Sequence, residues 1–199
     1  MITPKPHLSW SQLSIWESSP ETYRRIYING GRLPINRGMA LGKQVADSLE
    51  TGEETGDIMT DLVVAQMPKL EEMEKEIRVT LKIAGHEISL LGMMDTAKKD
   101  LSEFKEYKTG LTAWTQKLVD NQGQITLYCT MIHALTGVIP KNVELVHAMT
   151  EKLPDGKFRL TGDIKRWPTE RKLKDIIKMK VRLKKAYEGI GAMMEEELL

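Results

Sequence analysis

The sequence predicts an α/β fold, because two different spacings of apolar residues alternate along the chain. In residues 39–50, Leu41, Val45 and Leu49 recur every fourth position, which is typical of one face of a helix. In residues 75–85, apolar side chains instead alternate with polar ones, as in a strand with one buried face. Both patterns return further along, so the predicted order is helices, three strands, a helix, two strands and a last helix.

The N-terminal part of the chain is predicted to be helical. The segment "LSWSQLSIWESSPETYRRIYI" should form two short helices that break at Pro20, because proline begins a helix but disrupts its interior. A connection rich in glycine and proline over 29–38 leads to the helix over 39–50, and a further helix over 58–67 should stop before Pro68. The expected apolar anchors of the first two helices are Leu13, Trp16, Tyr23 and Tyr27.

The middle of the chain is predicted to form three strands. A turn at Gly85 and His86 joins the alternating segment to a second strand over 87–95. The residues "KKD" then turn the chain into a third strand over 101–108. These three strands supply the first part of the expected sheet.

The rest of the chain is predicted to contain a helix, a hairpin and a last helix. The first of these helices covers 120–135 and should end at Gly137, since glycine suits the left-handed conformation at a helix end. The segments "VELVHAM" and "KFRLTGDI" should form a hairpin across "LPDG", followed by an amphipathic helix over 169–190. One face of the first helix carries Gln124, Tyr128, Met131, Ile132 and Leu135. The residues expected to point inward from the last helix are Leu173, Ile176, Ile177, Leu183 and Tyr187.

Composition excludes several classes of protein. The 199 residues suit one domain over 1–199, with 41% hydrophobic and 29% charged residues, as in an ordinary globular protein. No apolar run approaches a membrane span, and the N-terminus lacks the apolar region of a secretory signal, so we expect no membrane partner and a cytoplasmic location. A single cysteine, Cys129, excludes an internal disulfide and any iron–sulfur cluster held by four cysteines.

Charge is balanced overall but not locally. The net charge is +1, whereas the stretch from Lys165 to Lys185 has ten Lys and Arg residues against Glu170 and Asp175. This basic stretch could be a phosphate-binding surface or a solvated helix face, and the sequence leaves both interpretations open.

An acidic residue two positions before a lysine occurs five times. These pairs are 103/105, 106/108, 155/157, 163/165 and 170/172. Two features favour Glu106 and Lys108: the strand ends directly afterwards at Thr109 and Gly110, and Asp95 lies on the neighbouring strand near their shared turn. Since strand side chains alternate, the 103/105 pair would point to the opposite face. Asp95 and Glu106 can then converge on one divalent ion, with Lys108 on the side of Glu106.

Five motifs in order give the chain a resemblance to a known family. The segments "GMMD", "EYKTG" and "QITLY" resemble the PD-(D/E)XK nuclease superfamily, and within it the RecB-type group that includes bacteriophage exonucleases and CRISPR-associated relatives. The likeness covers about residues 8–135, with the core motifs in 38–135 and a C-terminal hairpin and basic helix in 142–190. The matching residues are Ser11, Leu13, Trp16, Pro20, Tyr23, Gly42, Asp95, Glu106, Lys108, Thr109, Gln124 and Tyr128.

The resemblance implies a restriction-endonuclease-like core, in which helices flank a central mixed sheet, and a role for each matched site residue. Asp95, Glu106 and the backbone carbonyl of Tyr107 would bind Mg²⁺, which Mn²⁺ could replace. Lys108 would orient the attacking water and stabilise negative charge. Gln124 would contact that lysine or the DNA, with Tyr128 in support.

The chain departs from the family pattern at two places. Where many relatives carry a metal- or water-contacting His or Glu, this sequence has Ala46. Glu50, one helical turn further, or Asp47 could replace it, and Glu50 is preferred because relatives often have an acid near that position. Some relatives also hold an iron–sulfur cluster, which a chain with one cysteine cannot do.

The function implied by the resemblance is metal-dependent hydrolysis of phosphodiester bonds in DNA. The expected protein is an exonuclease of phage or bacterial DNA recombination or repair, with a recombination or single-strand-binding protein as a further partner. One alternative is a catalytically inactive relative that binds DNA or assists recombination, and another is an interaction module built on the basic C-terminal helix. Substrate strandedness, cleavage polarity, exonuclease versus endonuclease mode, oligomeric state and host or phage origin stay open at this point.

Overall fold

The chain is described by a computed structural model for residues 4–32 and 37–197. Its helices are α1 (Trp10–Ser18), α2 (Pro20–Tyr23), α3 (Arg37–Thr51), α4 (Ile58–Gln66), α5 (Gln116–Asp120), α6 (Gly123–Thr136) and α7 (Leu173–Glu196). Its strands are β1 (Glu72–Ile83), β2 (His86–Ala97), β3 (Glu103–Gly110), β4 (Asn142–Lys152) and β5 (Phe158–Thr169). A π-helical turn, Arg24–Ile28, follows α2 directly. Within these ranges no helix is both long and apolar enough to cross a membrane.

The five strands form one sheet in the order β1-β2-β3-β4-β5. Strands β3 and β4 are parallel, and the chain passes between them through α5 and α6. The other three neighbouring pairs are antiparallel. The predicted α/β fold with a mixed sheet flanked by helices is therefore confirmed.

Pairing between β2 and β3 is much shorter than pairing elsewhere in the sheet. Within the described residues, the register across this junction pairs Thr96 with Lys105 and Ala97 with Phe104, and the Lys98 amide adds one hydrogen bond to the Glu103 carbonyl over 2.9 Å. Eleven residue pairs join β1 to β2, and eight join β3 to β4. Continuing the same register by one step would pair Asp95 with Glu106, so these two residues lie where β2 and β3 separate. We call this position the fork.

Helices cover both faces of the sheet, and the alternation of strand side chains divides the core into two parts. One part joins α1, α2, α6 and α7 to the sheet, and Leu145 of β4 points into it. The other part joins α3 and α4 to β4 and β5, and the next residue, Val146, points into that one. The predicted stripe of Leu41, Val45 and Leu49 on α3 is buried in this second part.

Local signals account for the ends of several helices. Ser19 caps α2 by accepting from the Thr22 amide over 3.1 Å, with Pro20 at the first helical position. Asp57 caps α4 in the same way, over 2.8 Å to Thr60. Gly137 ends α6 with φ of 76°, which glycine adopts without a steric penalty. The predicted breaks at Pro20 and Gly137 are confirmed.

The prediction for the last helix was wrong in two respects. Strand β5 continues to Thr169, so α7 spans Leu173–Glu196 and not residues 169–190. Leu173 and Ile177 are 57% and 55% exposed, although both were expected to point inward. The buried face is instead formed by Ile176, Met179, Leu183, Ala186 and Ile190. Leu135, expected on the apolar face of α6, is 47% exposed as well.

Candidate active site

Two carboxylates and a lysine come together at the fork. Glu106 is only 1% exposed, and its Oε1 accepts an ion-paired hydrogen bond from Lys108 Nζ. Its other oxygen, Oε2, is buried and has no hydrogen-bond partner among the described residues. On the adjoining strand, Asp95 Oδ2 accepts from the backbone amide of Tyr107 over 2.5 Å. The structure therefore brings Asp95, Glu106, Tyr107 and Lys108 together as the sequence predicted.

Burial raises the pKa of both acids. Burial raises the pKa of Glu106 to about 8; Lys108 opposes this shift and Asp95 adds to it. Burial also raises the pKa of Asp95, although the Tyr107 amide and Lys108 act in the opposite direction. Burial alone would lower the pKa of Lys108, but Glu106 and Asp95 raise it above its usual value. A second cation near the two carboxylates would relieve their repulsion.

A chain of hydrogen bonds runs from the lysine into α6 and back to β2. Lys108 Nζ donates to Gln124 Oε1 over 3.0 Å, and Gln124 Nε2 donates to the Tyr128 hydroxyl over 2.8 Å. That hydroxyl donates to the Met93 carbonyl over 2.5 Å, two residues before Asp95. Tyr128 thus contacts both sides of the fork, and Gln124 holds the lysine.

Gly92 makes this position of Tyr128 possible. A Cβ atom at Gly92 would lie 3.0 Å from a ring carbon of Tyr128 and 3.2 Å from the sulfur of Met131. The first residue of the "GMMD" motif therefore lets α6 approach β2 closely. On the other side, the ring of Phe104 meets Tyr128 edge-on, with centroids 5.8 Å apart.

A pocket of about 600 Å³ opens between α3 and the ends of β2 and β3. Asp95 and Lys108 line it on the side of the sheet, and Ala46 lines it on the side of α3. A Cβ atom at Gly42 would lie 3.1 Å from Thr109 Oγ1, so this glycine allows α3 to approach the end of β3. The pocket is large enough for part of a small-molecule or nucleotide-sized ligand.

Glu74, which was not among the predicted site residues, also lines this pocket. The pairs Met73 with Thr96 and Lys75 with Met94 flank it, so it lies opposite Asp95, with a φ of 47° that interrupts the regular strand. Burial raises the pKa of Glu74, and Asp95, Glu50 and Asp47 raise it further. Counting back from the hairpin turn at 84–85 would have found this residue.

Glu50 and Asp47 lie outside the group at the fork. Both side chains are exposed, and Asp47 pairs with Lys43 over 2.7 Å. Neither is among the residues that line the pocket. The structure does not bring Glu50 to Asp95 and Glu106, and its role as a metal ligand stays a prediction.

The other pair in the same strand has a different environment. Lys105 is 4% exposed, and its Nζ donates to Glu103 over 2.9 Å and to Glu144 over 3.1 Å. Arg166 also pairs with Glu144, over 2.7 Å. Every charge in this network has an oppositely charged neighbour, and the ion pairs link β3, β4 and β5. The carboxylates are therefore already paired with cations, which makes them poor candidates for metal ligands.

The oxygen atoms of the side chains at the fork are suitable ligands for a magnesium ion. Mg²⁺ prefers oxygen ligands, keeps several waters and is commonly bound by one or two carboxylates. Asp95 and Glu106 supply two carboxylates, and Glu106 Oε2 is a buried acceptor without a hydrogen-bond donor in the described part of the chain. No three His, Cys, Asp or Glu side chains are grouped within the described ranges so as to hold a metal, so water or backbone oxygens would complete the shell.

One of three similar solved structures, with a TM-score of 0.51, supports the fold. No family model and no curated protein sequence matches the chain. Its structure is similar to that of SSO0001, with a TM-score of 0.51 and 16% identity over 92% of this chain and 77% of that one. It is also similar to an alkaline exonuclease (LHK-Exo) from Laribacter hongkongensis, with a TM-score of 0.38 and 14% identity over 96% and 90%. A third similar structure is Rai1 from Scheffersomyces stipitis, with a TM-score of 0.28 and 14% identity over 92% and 49%.

Proposed function

We propose that this protein is a metal-dependent nuclease that hydrolyses phosphodiester bonds in DNA. The observation that carries the proposal is the arrangement of Glu106 at the fork. One of its buried oxygens is bound by Lys108, the other has no partner among the described residues, and Asp95 lies across from it. A buried carboxylate that is repelled by a partly buried one is costly unless a ligand uses them.

Asp95, Glu106 and the Tyr107 carbonyl would hold a magnesium or manganese ion. When bound, such an ion lowers the pKa of a coordinated water and neutralises charge that develops on the phosphate. The buried position of Glu106 excludes bulk water from one side of the site, which strengthens its interactions with charge. Asp95 keeps its orientation through the hydrogen bond from the Tyr107 amide.

Lys108 would contact the phosphate directly. Its ammonium group has three N–H donors, and two of them are used by Glu106 and Gln124. The third is left for a phosphate oxygen or for the attacking water. Because the lysine is held from two directions, it needs little rearrangement as negative charge develops in the transition state.

We further propose that the substrate is processed from an end, as an exonuclease of DNA recombination or repair would do. The pocket beside Asp95 and Lys108 has a volume of about 600 Å³ and is partly open to solvent, so it could accept the end of a strand. The motif resemblance to phage exonucleases supports the same assignment.

A catalytically inactive DNA-binding protein is the second candidate. Ala46 favours it, because this residue lines the pocket at the position where many relatives carry a metal- or water-contacting side chain. The presence of Asp95, Glu106 and Lys108 favours catalysis. In a protein without catalytic activity, two acidic side chains that repel each other would have no use.

Cleavage of end-labelled DNA with magnesium, manganese or EDTA separates the two candidates. We expect cleavage that requires the metal, and a loss of at least about a hundredfold in Asp95→Asn and in Lys108→Ala. Lys157→Ala is the matched control, because Lys157 belongs to an exposed acid-x-lysine pair in the β4–β5 turn. DNA binding without cleavage in any metal would establish the inactive alternative. Near-normal turnover by either site variant would show that the site is wrongly assigned.

A further inference from the structure

Helix α7 presents an apolar stripe to solvent. Leu173, Ile177 and Val181 are 57%, 55% and 49% exposed and recur every fourth residue, so they lie in one row along the helix. A different row, about a third of a turn away around the helix, packs into the core and contains Ile176, Met179 and Leu183. The exposed row is therefore not required for packing α7 against the rest of the molecule. We call Leu173, Ile177 and Val181 the α7 stripe.

Lysines border the α7 stripe on both sides. With 3.6 residues per turn, Lys174, Lys178 and Lys185 lie along one side of the stripe, and Lys180 lies along the other. None of these four lysines has an ion pair within the described part of the chain. Cations nearby on the same helix are paired, for example Lys184 with Glu188 over 3.4 Å. The surface thus combines exposed apolar area with unmatched positive charge.

The charge pattern selects between the possible occupants of this surface. A second copy of the chain would bring lysines against lysines on both sides of the stripe, which is unfavourable. Nucleic acid would match the lysines, but phosphates would leave the three apolar side chains without a contact. An amphipathic helix with an apolar row bordered by Asp or Glu matches both properties.

We propose that the α7 stripe and its bordering lysines form a docking surface for an acidic amphipathic helix of a partner protein. Apolar residues of the partner would cover Ile177 at the centre, with Leu173 and Val181 on either side. Its carboxylates would pair with Lys174 and Lys178 along one border and with Lys180 along the other. This surface lies on different residues from the pocket at the fork, so the interaction does not depend on the nuclease activity.

The test uses a fluorescein-labelled synthetic helix of about 18 residues, with leucine at every fourth position and glutamate on both sides of that row. Binding to the full chain is measured by fluorescence anisotropy. We expect Ile177→Gln and Lys178→Glu each to weaken binding about tenfold, and a peptide with lysine in place of glutamate not to bind the unaltered chain. The matched controls are Ile58→Gln, whose isoleucine is 79% exposed on α4, and Lys141→Glu, and both should bind within about twofold of the unaltered chain.

Three results would overturn the proposal. Equal losses in the test and control variants would show that the peptide binds by overall charge. DNA that displaces the peptide and responds to Lys178→Glu but not to Ile177→Gln would make the surface a nucleic-acid site. A dimer in sedimentation that Ile177→Gln abolishes would identify a second copy of the chain as the occupant. All variants lie on exposed side chains, and circular dichroism confirms that each is folded before binding is measured.

Discussion

Lys108 on β3 donates a hydrogen bond to the side chain of Gln124 in the first turn of α6, over 3.0 Å. This bond joins two elements that are separated in sequence by the short helix α5. It also sets the direction of the ammonium group, which is shared between Gln124 and Glu106. Under the proposed function, Gln124 would be a positioning residue whose effect on cleavage passes through Lys108.

If Gln124 acts through Lys108, the two substitutions should not be additive. We expect Gln124→Ala to reduce kcat about tenfold, and Lys108→Ala to reduce it about a hundredfold or more. The double variant should cleave no more slowly than Lys108→Ala alone, because the lysine that Gln124 positions is already absent. The measurement is the single-turnover cleavage rate of each of the three variants. A double variant slower by the product of both effects would mean that Gln124 contacts the substrate itself.

Divalent metal should stabilise the protein. An ion that binds the native site and not the unfolded chain raises the free energy of unfolding, by about 2.7 kcal/mol at a concentration a hundredfold above its Kd. We expect the melting temperature to rise in millimolar magnesium or manganese, and Asp95→Asn to lose most of that rise. Calcium provides a comparison ion for differential scanning calorimetry. An unchanged melting temperature in a folded protein would contradict a preformed metal site at the fork.

Glu74 should matter more to the site than Glu50. Glu74 lines the pocket opposite Asp95, whereas Glu50 is exposed and outside the pocket lining. We expect Glu74→Gln to raise the magnesium concentration needed for half-maximal cleavage several-fold, to about three to ten times its usual value, because the site loses negative charge. Glu50→Gln should change it by less than about twofold. A larger effect of Glu50→Gln than of Glu74→Gln would instead support Glu50 as the acid that replaces the side chain missing at Ala46.

His147 should make the protein less stable in mild acid. It is 1% exposed on β4, and burial lowers its pKa below the usual value. The unfolded chain therefore binds a proton more readily than the folded one, so the stability that neutral His147 provides is present above about pH 6.5 and is lost as the pH falls below it. Urea unfolding at about pH 7.5 and about pH 5.5 should give a smaller difference in His147→Leu than in the unaltered protein. Identical differences in the two proteins would contradict this role.

The sequence allowed local features of the fold to be predicted, because their signals lie within a few residues. Pro20 and Gly137 mark helix ends through their own backbone chemistry, and both breaks occur where expected. The proximity of Asp95 and Glu106 could be predicted because a short turn joins their two strands. The spacing of Gln124 and Tyr128 placed both on one face of α6.

Features that depend on distant pairing could not be predicted in the same way. Helix α7 carries two apolar rows, and periodicity does not indicate which row meets the core, so Leu173 and Ile177 were assigned to the wrong side. The parallel pairing of β3 with β4 crosses two helices and has no local signal. Glu74 is an exception, because the first hairpin keeps one register from Ile83 and His86 back to Asp95, and counting along the strands from the turn identifies Glu74.

The short pairing between β2 and β3 has a consequence for how the proposed nuclease activity would be lost on heating. Asp95 belongs to the well-paired β1–β2 hairpin, and Glu106 belongs to the well-paired group of β3, β4 and β5. Besides the core that they share, these halves are joined by two residue pairs, by hydrogen bonds from the Lys98 amide to Glu103 and from the Tyr107 amide to Asp95, and by the contacts of Tyr128. Opening of this junction requires far fewer bonds to break than global unfolding, and such partial openings are the first to be populated as temperature rises. Inactivation should therefore precede melting, with each half still folded when the two carboxylates have moved apart.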